Sequence, residues 1–164
     1  MHRHQSIAAL VLALAVGVAG CDDDDDETGP SNPQFTAALT TASEVNPNPA
    51  ITSGATGTTT FTQSGTTFSY TIDVTGLSSN ATAAHIHGPA SVTENAGVLV
   101  PLTPVAAQTS GRIATGTFTP ASIQVATVSF DSLLVLMRNG NAYVNVHTGN
   151  HPAGEARGQI QTVS

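Results

Sequence analysis

The chain has no lysine and no tryptophan, a single cysteine, and few charges or aromatic rings: 9% of its 164 residues are charged and 4% are aromatic. Each shortage excludes something. With no lysine and a formal net charge of −7, the chain lacks the basic face that a phosphate backbone requires, so nucleic acid is not an expected partner. One cysteine permits no internal disulfide, and its position near the start leaves the rest of the chain without a thiol nucleophile. A soluble domain usually carries roughly 25% charged residues, and a coiled coil needs more, so a charge-laced helical rod is excluded. Neither a Gly-x-Ser-x-Gly elbow nor a phosphate-cradling glycine loop is present. No repeat recurs at solenoid spacing.

What is present begins with an address. Residues 1–20 place Arg3, with His2 and His4, before an apolar run from Ile7 to Ala19. That run is shorter than the ~20 residues of a comfortable membrane span and suits the apolar part of a secretory signal. It ends Val18-Ala19-Gly20-Cys21, which resembles the bacterial lipobox, in which the cysteine becomes the lipid-carrying first residue. Cys21 is therefore the expected lipidation site; the plainer alternative is an ordinary cleaved signal with an incidental cysteine. Residues 22–27 are five aspartates and a glutamate. Adjacent like charges repel, so 21–33 reads as a disordered acidic tether. The expected location is the bacterial envelope, at the outer membrane or cell surface, with the membrane as a partner through the anchor. From residue 34 onward only five acids face three arginines, so the acidity belongs to the tether.

The remainder, 34–164, reads as one all-β domain. Phe68, Tyr70, Ile72 and Val74 alternate cleanly with polar neighbours, the mark of a half-buried strand ended by Gly76. Further strands are expected at 35–40, 58–62, 83–87, 97–101, 112–118, 142–148 and 155–161. One short helix is expected near 131–139, capped by Asp131 or Ser132, with Gly140 just past its end. Seven or eight short strands with Gly and Pro punctuation suggest an antiparallel Greek-key-type sandwich or small barrel.

All four histidines of the domain fall into two clusters, His85-Ile86-His87 and His147-Thr148-Gly149-Asn150-His151. Residues i and i+2 of a strand share a face. If Ile86, Val144 and Val146 face the core, then His85, His87 and His147 all face away from it. They meet only if their strands are neighbours or their ends converge. Two imidazoles at i and i+2, with one or two more from another strand, suit zinc or copper. His151 is placed to fold back over the patch, Glu155 to be a fourth ligand or a support, and Asn145 or a backbone carbonyl to orient a ring. The plainer alternative is that these histidines hydrogen-bond locally and shape turns. Glu155 and Arg157 share a face, where a same-face or cross-strand ion pair is expected, worth little if exposed; an acid–base role for Glu155 would need a pocket. Gly158 leaves room for a neighbouring backbone.

At 84–90 (Ala-His-Ile-His-Gly-Pro-Ala), and from Ala142-Tyr143-Val144-Asn145-Val146-His147-Thr148 on through 151–160, the sequence resembles the CHRD domain, the module first named from chordin. The resemblance covers roughly 35–161. The cysteine-rich modules that bind growth factors in chordin are absent here, so that activity is not implied. Many bacterial proteins similar to it carry the domain alone behind a lipoprotein signal, and the resemblance implies no settled activity; the charge-poor surface, rich in Thr, Ser and Asn, suits a binding or structural module recognising a surface protein, a glycan or a metal. A weaker resemblance is to copper/zinc superoxide dismutase, a Greek-key barrel with a His-x-His copper pair. It matches His85 and His87, implies His147 as the later copper ligand, and makes Arg157 a candidate guide for the anion. The dismutase's disulfide and zinc loop are missing, so only architecture and the copper or zinc alternative carry over.

Overall fold

A computed structural model describes residues 34–102 and 107–163. The expected leader (1–20), Cys21 and the acidic tether (21–33) lie outside the described residues. The strands are β1 (Gln34–Thr40), β2 (Thr56–Ser64), β3 (Thr67–Thr75), β4 (Ala81–His87), β5 (Val98–Leu102), β6 (Gly111–Phe118), β7 (Tyr143–Thr148), β8 (Ala156–Gln159) and β9 (Gln161–Thr162). One α-helix, α1 (Phe130–Arg138), lies between β6 and β7. The strands form one antiparallel sheet in the order β5-β4-β7-β8-β1-β2-β3-β6, with β9 beside β1. It curls into a nearly closed barrel. β8 lies beside β1, ahead of the β1-β2-β3 meander, so the antiparallel, barrel-like sheet expected from the sequence is present.

Period-2 patterning explains the core. In β3, Phe68, Tyr70, Ile72 and Val74 point inward and are buried, while Ser69, Thr71 and Asp73 between them face out. β2 pairs with β3 along its whole length, so Phe61 lies opposite Tyr70. Phe68 stacks on Phe118 of β6 at 4.9 Å between centroids, and Phe35 and Phe61 meet Phe68 edge-on. Each such buried ring contributes ~2–3 kcal/mol through apolar area, and the pairings add a little more. The helix buries Leu133, Leu134 and Met137 against this core. It starts earlier than expected: Ser129 rather than Asp131 or Ser132 is the cap, its hydroxyl accepting from the Ser132 amide. Phe130, at the first helical position, packs on Phe68 and accounts for the earlier start.

Two features set up the candidate site. First, β4 and β7 are direct neighbours, with His85 opposite Asn145 and His87 opposite Tyr143. Second, β7 is buried on both faces. Val144 and Val146 enter the apolar core, as expected. Tyr143, Asn145 and His147 face away from it, yet not into solvent. Segments 42–46, 88–97 and 149–154 roof this outer face and make a second, polar interior. β8 packs so closely on β1 that a β-carbon at Gly158 would collide with the Ala38 carbonyl oxygen, which is the backbone approach that the glycine was expected to allow.

Candidate metal centre

The antiparallel register brings the histidines together diagonally. His147 stands opposite Ala83, one inward-pointing residue away from His85 on the neighbouring strand. Diagonal pairs in a sheet are within reach of long side chains. The ring centroids of His85 and His147 lie 4.8 Å apart, those of His85 and His87 5.5 Å, and those of His87 and His147 5.8 Å. One nitrogen from each ring can be chosen so that all three lie within 4.8 Å of one another.

The protons can be placed by their partners. His87 Nδ1 is 3.0 Å from the Ala96 carbonyl oxygen, and His147 Nδ1 is 3.0 Å from that of Pro152. A carbonyl only accepts, so both Nδ1 atoms carry the proton and both Nε2 atoms present a lone pair. His147 Nε2 is 3.0 Å from His85 Nδ1, which must then donate. His87 Nε2 is buried and has no partner at all. Burial pushes the His85 imidazole down to about 4, helped by the neighbouring rings of His147 and His87. Burial also lowers His87, against the opposing Ala96 hydrogen bond, and lowers His147, against that of Pro152. Three neutral imidazoles, two of them locked with Nε2 forward by backbone carbonyls, form the donor set that zinc and copper prefer. His85 is half-buried, so the cluster opens to solvent on that side.

The other expected residues are distributed differently. His151 is 8% exposed but stands apart from the three rings, lining a small cavity with Glu44, Asn95 and Gly154. Asn145 orients no imidazole: its Nδ2 donates to Glu44 Oε2 over 3.4 Å, and backbone carbonyls do the orienting instead. Glu155 is completely buried, and its carboxylate accepts from the Ser78 amide (2.6 Å), the Ser78 hydroxyl (2.8 Å) and the Thr148 hydroxyl (2.6 Å). Burial pushes its carboxyl up, but the hydrogen bonds from Thr148, Ser53 and Ser78 outweigh that and hold it below the usual range. It is a latch between the β3–β4 connection and the β7–β8 hairpin, and its carboxylate is not among the groups gathered with the three imidazoles.

Arg157 corrects a further expectation. It makes no ion pair with Glu155; among the described residues the only ion pair is Arg112–Asp73, on the surface. Arg157 is 1% exposed and donates to the carbonyls of Glu94 and Ser91 and to the side-chain oxygens of Asn95 and Gln159. Its guanidinium carbon sits 3.6 Å from the Tyr143 ring centroid, and His87 stacks on the same tyrosine at 5.0 Å. The guanidinium therefore fastens segment 91–95 over the outer face. The Tyr143 hydroxyl accepts from the Ala96 amide, so the carbonyl that orients His87 belongs to a fastened segment. Tyr143 was not singled out in the sequence, although its alternation with Asn145 and His147 put it on their face.

The sequence of residues 35–160 matches the CHRD domain family. The chain belongs to the CHRD domain family. No curated protein matches it. As a CHRD domain it is a small β module of the binding or structural type. Both stretches that carried the resemblance lie at the site, the first holding His85 and His87 and the second running from Tyr143 through Arg157 to Gln159.

Proposed function

We propose that this CHRD domain is tethered to the bacterial envelope through Cys21 and binds one zinc or copper ion through His85, His87 and His147. The single observation that carries the metal reading is the buried, partnerless Nε2 of His87, on a ring gathered with two other imidazoles. A buried acceptor without a donor is costly unless something fills its place, and a metal ion does so. Tetrahedral zinc with Zn–N bonds of ~2.0–2.1 Å separates its nitrogens by ~3.3 Å, so the rings need only draw in modestly. To offer Nδ1 to an ion, His85 would carry its proton on Nε2 instead, giving up its hydrogen bond to His147, and three neutral imidazoles would leave a fourth position for solvent or a partner's donor atom. The tether reading is supported by the lipobox-like end of the leader and the acidic run after it.

The test is a titration of the metal-free protein with Co²⁺ or Cu²⁺, followed by visible absorption. The reading predicts a saturable ligand-field spectrum that disappears in His87→Ala. If the histidines were only structural, no spectrum would develop and His87→Ala would lower the melting temperature of metal-free protein.

A further inference from the structure

The outer polar interior holds a second anomaly, away from the three imidazoles. Asn145 Nδ2 donates to Glu44 Oε2. The remaining atom of each group, Glu44 Oε1 and Asn145 Oδ1, is buried and has no partner. Both are acceptors if the carboxyl is ionised, which would leave two buried lone-pair groups side by side with nothing to bind. Nor can Asn145 readily turn away. It is 3% exposed, and Gly154 lies so close that a β-carbon there would collide with the amide.

We infer that Glu44 is held as an uncharged carboxylic acid, joined to Asn145 by a two-point acid–amide pair, and that loss of its proton releases the segment after β1 from the sheet. A proton on Oε1 turns one of the two orphaned acceptors into the donor that the other lacks. The pair then has a donor and an acceptor on each side.

The surrounding charges favour this. Arg157 on β8 is the one cation facing Glu44, but its hydrogen bonds go to neutral oxygens and none reaches the carboxyl. His151 lines a cavity of about 140 Å³ that Glu44 also lines, and Glu94, on the segment above, turns its carboxylate to Ser91 in solvent. Burial pushes Glu44 up to about 7, against Arg157 and the Asn145 hydrogen bond. Glu44 also lines a larger cavity of about 560 Å³, which residues 42–46 and 92–93 share with Arg157 and Gln159. Ionisation would part the carboxylate from the Asn145 amide and favour its turning into the larger cavity, which Arg157 lines. The other ties of this segment include the hydrogen bonds from the Thr41 amide to the Ala55 carbonyl and from Asn95 to the Val45 carbonyl.

The sign follows from linkage. The folded value lies above the ordinary 4.5, so the stabilisation is complete below about pH 4.5 and is lost as pH rises through about 7. The histidines, shifted down, titrate with the opposite sign in part of this window, so the readout is the difference between wild type and Glu44→Gln. Glutamine supplies the same donor and acceptor without a titratable proton. In the full chain, the melting temperature of wild type should fall relative to E44Q by about 4 °C or more between about pH 5 and pH 8. Wild type at about pH 6 should also show the infrared carbonyl band of a buried protonated carboxyl, absent from E44Q. Parallel melting profiles would overturn the inference. So would a wild-type spectrum without the acid band, which decides the matter even if E44Q fails to fold.

Discussion

Arg157 is the residue whose removal should be felt most widely. Arg157→Met keeps much of the aliphatic stem and removes the charge. Four hydrogen bonds are lost, leaving the carbonyls of Glu94 and Ser91 and the side-chain oxygens of Asn95 and Gln159 short of a donor. Hydrogen bonds to a charged partner are worth ~1.5–3 kcal/mol each, and the stack on Tyr143 adds roughly 1. Against this, the variant no longer buries a guanidinium, which returns several kcal/mol. The net expectation is a loss of ~3–5 kcal/mol, the range seen when a buried charge network is broken. A domain of ordinary stability, ~5–15 kcal/mol, would still fold but with little margin. Urea unfolding followed by far-ultraviolet circular dichroism measures the loss directly. Arg157→Lys should also be destabilised, because a single ammonium cannot reach four acceptors that the planar fork spans. A loss below about 1 kcal/mol for Met would refute the view that this guanidinium fastens segment 91–95.

Two further predictions rest on other parts of the outer face. Glu155→Gln should cost about 2 kcal/mol near neutral pH, since the buried carboxylate accepts three hydrogen bonds. Its carboxyl is held low, so that stabilisation is present above about 4.5 and is lost as pH falls through the folded value; the glutamine variant should not show this acid-side loss in a pH series of melts. Gly158→Ala should lose more than about 3 kcal/mol in the same urea assay, because its β-carbon meets the Ala38 backbone, which cannot retreat without parting β8 from β1.

How much of this was legible in the sequence depends on the range of the interaction. The alternation in β3 made its core face readable residue by residue, because each position is decided by burial alone. The opposite facing of His85, His87 and His147 from Ile86, Val144 and Val146 was equally local. That β4 and β7 are neighbours was not readable: their pairing joins residues about sixty apart and depends on where every other strand goes. The covered outer face was hidden for the same reason. Nothing local in Glu44 reveals that it meets Asn145, 101 residues later, or that Ala96 and Pro152 supply the carbonyls that set two imidazole tautomers. The expected Glu155–Arg157 pair failed because spacing put opposite charges near each other, while Ser78 and Thr148 offered the carboxylate a complete set of donors and the roof segments offered the guanidinium a complete set of acceptors.

The most direct test of the metal reading is the metal content of the protein itself. The full chain, without a polyhistidine tag, would be produced in medium containing zinc and copper, purified by gel filtration and measured by elemental mass spectrometry. The account predicts about one zinc or copper ion per chain, lost in His85→Ala/His147→Ala while circular dichroism shows the sheet retained. Metal at background in the wild type, or equal metal in wild type and variant, would contradict it.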